Sequence, residues 1–150
     1  MITKSRRDFL ALTTVIACSM LSPALAQAQT TSIKNKVIFQ VSDNDLGKWN
    51  LTLNIAKNVA QDLGEDKVEL EIVAYGPGIG MLKRDSASGA LIAEALRNGV
   101  KIVACENTMK GQKLTYADML PNIGYVLAGV VELMQKQQQG FAYIDRKSVV

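Results

Sequence analysis

The chain has 150 residues, a formal net charge of +3, no histidine and two cysteines. Without histidine there can be no Ser-His-Asp or Cys-His arrangement, no histidine base and no histidine metal ligand. Removing residues 1–28 takes three of the 17 basic and one of the 14 acidic residues and lowers the net charge to +1, which gives no case for nucleic acid or an anionic membrane as partner.

Those first 28 residues read as an export segment. Ser5-Arg6-Arg7-Asp8-Phe9-Leu10 matches the twin-arginine pattern, and an apolar stretch runs to Leu21. Small-residue cleavage sites follow at Ala26 and Ala28. The stretch is shorter than the roughly 20 apolar residues of a membrane anchor, and Thr13, Thr14 and Ser19 interrupt it. A periplasmic protein with no stable membrane insertion after processing is expected. Val15-Ile16-Ala17-Cys18 offers an alternative, lipoprotein-type processing site at Cys18. Residues 29–150 then form a single domain, large enough for one core.

Strand and helix patterns alternate from Lys36 onward. Val37-Ile38-Phe39-Gln40-Val41 is β-branched and aromatic and stops at Ser42-Asp43-Asn44-Asp45. Those polar residues suit a helix cap, which explains them better than calcium binding, since the EF-hand glycine and final glutamate are missing. Trp49, Leu53, Ala56, Val59, Ala60 and Leu63 recur at helical spacing up to Gly64. A second strand, residues 68–74, begins with Glu69 and Glu71 alternating with apolar residues, and reads as half-exposed at its start. It runs into Gly76-Pro77-Gly78-Ile79-Gly80, which is neither a Walker loop nor Gly-x-Gly-x-x-Gly. A plain turn explains this segment better than an anion cradle.

A helix carrying Leu91, Ile92, Ala95 and Leu96 closes at Asn98-Gly99. Residues 100–105 form the third strand, 115–120 a short helix, 125–128 a fourth strand, 130–139 a helix and 141–144 a fifth strand. Such alternation with short connections predicts a three-layer α/β/α domain with a mainly parallel sheet of about five strands. In open sheets of this kind ligands gather at the carboxyl ends of the strands. Three turns fall on that rim, at 42–45, 76–80 and 105–108. They make Asn44, Gly76, Gly78, Glu106, Asn107 and Thr108 candidate site-lining residues.

Cys105 is the one cysteine that survives removal of the first 28 residues, so no internal disulfide is possible. It lies where an apolar strand meets a polar turn. Helical amides beyond it, with Lys110 and Lys113, would favour a thiolate, whereas Glu106 would oppose one. A buried, inert thiol is equally consistent with these residues. Thiol–sulfur exchange needs no histidine base, so this chemistry survives the composition.

At this point the chain resembles the DsrE/DsrF-like family of small sulfur-relay and sulfur-oxidation proteins. The likeness is carried by Asp45 to Trp49, Val73 to Ile79, Cys105-Glu106-Asn107-Thr108-Met109, Asp118-Met119-Leu120-Pro121, Gly129 to Leu133 and Gln139 to Tyr143. The resemblance implies a three-layer fold and homo- or hetero-oligomers, commonly trimers or hexamers. It also implies that the catalytic residue is a cysteine just beyond the third strand, which accepts sulfur as a persulfide and passes it between donor and acceptor proteins. Cys105 occupies that position. No cofactor and no metal is expected. A sulfur carrier or sulfurtransferase is the leading expectation, and a non-enzymatic oligomeric binding protein or a thiol redox sensor is the alternative.

Overall fold

The computed structural model describes residues 35–145. The expected export segment at 1–28, with Cys18, lies outside the described residues. Five strands, β1 (Asn35–Val41), β2 (Val68–Ala74), β3 (Lys101–Cys105), β4 (Gly124–Val126) and β5 (Ala142–Ile144), form one sheet in the order β4-β3-β2-β1-β5. Every neighbouring pair is parallel. The helices are α1 (Leu46–Leu63), α2 (Gly89–Arg97), α3 (Glu106–Gly111) and α4 (Gly129–Gln138).

Strand alternation divides the core in two. Phe39, Leu70, Ile72, Ile102 and Ala104 face α1 and α2 and pack against Leu53, Ala56, Ala60 and Ile92. Ile38, Val73 and Val103 point the other way, onto Leu133 of α4 and onto Phe141. Helices therefore cover both faces, as the alternation predicted. Asp45 caps α1 by accepting a hydrogen bond from the Lys48 amide at 3.0 Å, and the Trp49 indole donates to the Asp43 carbonyl at 2.7 Å. The capping reading of residues 42–45 holds.

Several expectations need correction. Glu71 is 1% exposed and not half-exposed, because α4 lies over its side of the sheet. Its carboxylate meets the Lys136 ammonium at 2.7 Å, and Lys136 also lies 3.6 Å from Glu132. Residues 76–82 form a 3-10 helix and not a plain turn. The expected helix at 115–120 shrinks to a single 3-10 turn, Tyr116–Asp118, held by a Thr115–Asp118 capping box. The fourth strand ends at Val126, so Leu127 and Ala128 become the link to α4.

Candidate functional site

Cys105 closes β3 and stands as the N-cap of α3. It is a strand residue followed at once by a helix, where the sequence suggested a turn. Because 101, 103 and 105 alternate with 102 and 104, its side chain points to the α4 side of the sheet. Parallel pairing sets Cys105 opposite Val126 of β4. The chain leaving β4 therefore passes directly over the sulfur, and two contacts record this. The Gly129 amide donates to Cys105 Sγ at 3.3 Å, and Sγ lies 3.9 Å from the Leu127 carbonyl, to which the thiol donates. The Asn107 amide also donates to the Leu127 carbonyl, at 3.1 Å.

The starts of α3 and α4 thus converge on one thiol. Burial pushes the Cys105 thiol up. Hydrogen bonds from the Thr108 side chain and from the Gly129, Thr108 and Asn107 amides outweigh it, and the thiol titrates below the ordinary cysteine value. The stabilising donors are neutral dipoles at helix starts, which favour a thiolate by hydrogen bonding to the charged form. Glu106, expected to oppose the anion, is turned to Tyr116, whose hydroxyl donates to Glu106 Oε1 at 2.5 Å. That bond holds the Tyr116 phenol above its usual range.

Of the candidate residues, Gly76 and Gly78 join the same rim as Cys105. The Gly76 amide donates to Thr108 Oγ1 at 3.0 Å, and the Gln112 amide group donates to the Gly76 carbonyl at 3.1 Å. Thr108 therefore links the 3-10 helix to the sulfur's first turn. With the Gly76 amide on Thr108 and the Gly78 amide on the Tyr75 carbonyl, the glycine segment has spent two of its donors internally. It is a packing element. A Cβ on Gly78 would sit 2.1 Å from the Val41 carbonyl oxygen, so only glycine fits where this segment crosses the end of β1. Asn44 is not brought to the thiol. Its amide oxygen lies over Gly80, beside the Trp49 ring.

Gly129 and Leu127 escaped the list of site residues. Both lie more than 20 residues from Cys105 in sequence, and the register of β3 with β4 alone brings them to the sulfur. Leu127 is 70% exposed while Cys105 beneath it is 5% exposed. A groove of about 530 Å³ opens beside this link, lined by residues of α3 and its following loop together with Leu127. Tyr116 and Tyr125 meet edge to face at its margin, with ring centroids 4.6 Å apart.

The fold and site are those of a small α/β protein with a parallel five-stranded sheet and a buried thiol at the end of its third strand. Residues 35–145 match the model of the DsrE/DsrF-like family, and the chain belongs to that family. The structure of a protein of unknown function from Methanobacterium thermoautotrophicum is similar at 31% identity, with a TM-score of 0.71, covering 74% of this chain and 98% of that one. The ychN protein of E. coli shares the fold at 11% identity and a TM-score of 0.59, over 73% of this chain and 96% of that one. A conserved protein of unknown function from Bacteroides thetaiotaomicron does so at 14% identity and a TM-score of 0.57, over 73% and 93%. No protein of curated function matches the chain.

Proposed function

We propose that this protein is a sulfur carrier or sulfurtransferase-type protein of the periplasm, reached by twin-arginine export, which holds sulfane sulfur on Cys105. One observation carries the reading: in a chain of this family, the sole free cysteine among the described residues receives hydrogen bonds from two helix starts. In the step proposed, the Cys105 thiolate attacks the terminal sulfur of a donor R–S–SH. A new S–S bond forms on Cys105, the donor S–S bond breaks, and R–S⁻ leaves. The electrons balance without an external oxidant, because one sulfur–sulfur bond replaces another. Transfer to an acceptor thiolate reverses the step.

The protein works as a homo-oligomer, a trimer or hexamer, in this reading. Val130, Val131 and Met134 support it: they are 61%, 44% and 51% exposed on one side of α4. A groove beside them is lined by uncharged Gln40, Tyr75, Gln137 and Tyr143. A face without charge can meet its own copy without like-charge repulsion. The apolar residues of α2 at 91–96 support it less, because Ile92 and Ala95 are buried in the core.

Incubation of the purified protein with a persulfide donor tests the carrier role. Cys105 should gain the mass of one sulfur atom, reversible by a thiol acceptor. If no accessible donor gives the adduct and the thiol also resists alkylation in the folded protein, the carrier reading fails. The near-complete burial of Cys105 favours one alternative, a binding protein in which the thiol is part of a pocket wall. Partner capture and assembly unchanged in Cys105→Ser would support it. A redox sensor would instead form sulfenic acid or an intermolecular disulfide with peroxide and no sulfur donor.

A further inference from the structure

Helix α4 begins without a cap of its own. Its N-cap is Ala128, which has no side-chain acceptor, whereas α1 opens on Asp45 and that side chain accepts from the Lys48 amide. The first bond inside α4 runs from the Glu132 amide to the Ala128 carbonyl, which leaves the Gly129 amide without an acceptor in its own helix. That amide donates instead to Cys105 Sγ, 24 residues away in sequence, at 3.3 Å. The sulfur therefore does for α4 what a capping side chain does for other helices.

The two ends of α4 are held unequally. Toward the C-terminus Leu133 is buried, and Lys136 pairs with the buried Glu71 at 2.7 Å. Lys136 also stands 5.0 Å from the Phe141 ring centroid, and its carbonyl accepts from the Phe141 amide at 3.0 Å. At the start, Gly129 alone of Leu127, Gly129, Val130 and Val131 is buried, while the other three are exposed. The Asn107 amide ties the Leu127 carbonyl, at 3.1 Å. Segments with so little buried apolar surface open locally while the rest of a fold stays intact. Yet this segment covers the thiol, with the Leu127 carbonyl 3.9 Å from Sγ on one side and the Gly129 amide on the other. A second sulfur would stand about 2 Å from Sγ, and with Cys105 5% exposed it has to displace one of those contacts.

We infer that residues 127–131 form a lid capped by the reactive sulfur itself. The lid closes over Cys105 while Sγ is unmodified, and it lifts about the anchored end of α4 to admit a reagent. It stays released once Sγ carries a further group. This goes beyond the carrier reading, since any electrophile that modifies Cys105 releases the lid. In a carrier, the empty and loaded forms would then differ at the exposed start of α4.

Amide hydrogen exchange of the full chain, before and after modification of Cys105, tests the lid. Iodoacetamide is the first probe and needs no sulfur donor: the thiolate displaces iodide, and one C–S bond replaces one C–I bond. Exchange at 129–132 should speed up about tenfold or more, because the cap is lost and bulk is added, while β1, β2 and β3 keep their protection. Cys105→Ala removes the cap without adding bulk and should speed the same amides about fivefold, the scale of a lost N-cap. Ala128→Ser in that background supplies a side-chain cap and should recover the protection. Unchanged exchange at 129–132 after modification, an equal loss across the sheet, or no labelling short of global unfolding would each overturn the lid. A persulfide donor is the second probe and separates the two readings. Release by iodoacetamide with no sulfur adduct from any donor leaves the lid and sinks the carrier; a sulfur adduct with no change at 129–132 does the reverse.

Discussion

On the α1/α2 side, the strands present Phe39, Leu70, Ile72 and Ile102, none more than 3% exposed, and the helices answer with side chains of the same kind. On the α4 side, the same strands present Ile38, Val73 and Val103, but also Glu71 and Cys105. One helix covers that side, and it is positioned by groups that cost free energy to bury. Burial pushes the Glu71 carboxyl up despite Lys136, and one of its oxygens has no hydrogen-bond partner. Burial also works against the Lys136 charge, but the Glu71 and Glu132 carboxylates hold its pKa up. The first face supplies cohesion. The second gives up some of it to fix α4, and with it the Gly129 amide, over the sulfur.

Variants on the two faces should therefore differ in kind. Phe39→Ala, in the apolar core, should cost about 3–5 kcal/mol in denaturant unfolding and leave the midpoint of thiol titration unchanged. A titration midpoint that moved with it would show that the faces are not separable. Gly129→Ala places a Cβ 3.0 Å from Tyr75 Cβ and 3.2 Å from Val73 Cγ1. It should cost about 1–3 kcal/mol and also raise the thiol pKa, as α4 is pushed from the sulfur. Thr108→Val should cost about 1 kcal/mol and raise the thiol pKa, whereas Thr108→Ser should restore both. If valine and serine behave alike, the hydroxyl contributes nothing to the thiolate.

The smallest effect is a pH slope. Glu71 has a raised folded pKa, so the stability tied to its protonation is complete below the ordinary carboxylate range. It is lost as pH rises through the raised value. Urea unfolding across that window should show a decline in the native chain that Glu71→Gln lacks. Identical slopes would mean that Glu71 titrates no higher in the folded protein than in the unfolded one.

The fold was legible because its signals are local. β1 and β2 are seven-residue strands built around β-branched and aliphatic residues, α1 repeats its buried positions over 18 residues, and glycine or asparagine marks the ends. Helix α3 was harder to read because its six residues bury only Met109, too little for a periodic stripe. Glu71 misled because alternation shows which residues share a face but not which face a helix will cover. The thiol was visible as a residue and so was its rim. Its donors were not, since Gly129 meets Cys105 only through the pairing of β3 with β4. Lys110 and Lys113 stood out in the sequence as nearby charge, whereas the hydrogen bonds that do most to stabilise the thiolate come from backbone amides and one hydroxyl.

The central claim is that Cys105, though buried, is held ready as a thiolate by two helix starts. The pH dependence of its alkylation by iodoacetamide in the folded protein tests this most directly. The account predicts a midpoint below the value that the same thiol shows in the unfolded protein, moving upward in Gly129→Ala. A midpoint at or above that value, or labelling that appears only when the whole protein unfolds, would contradict it.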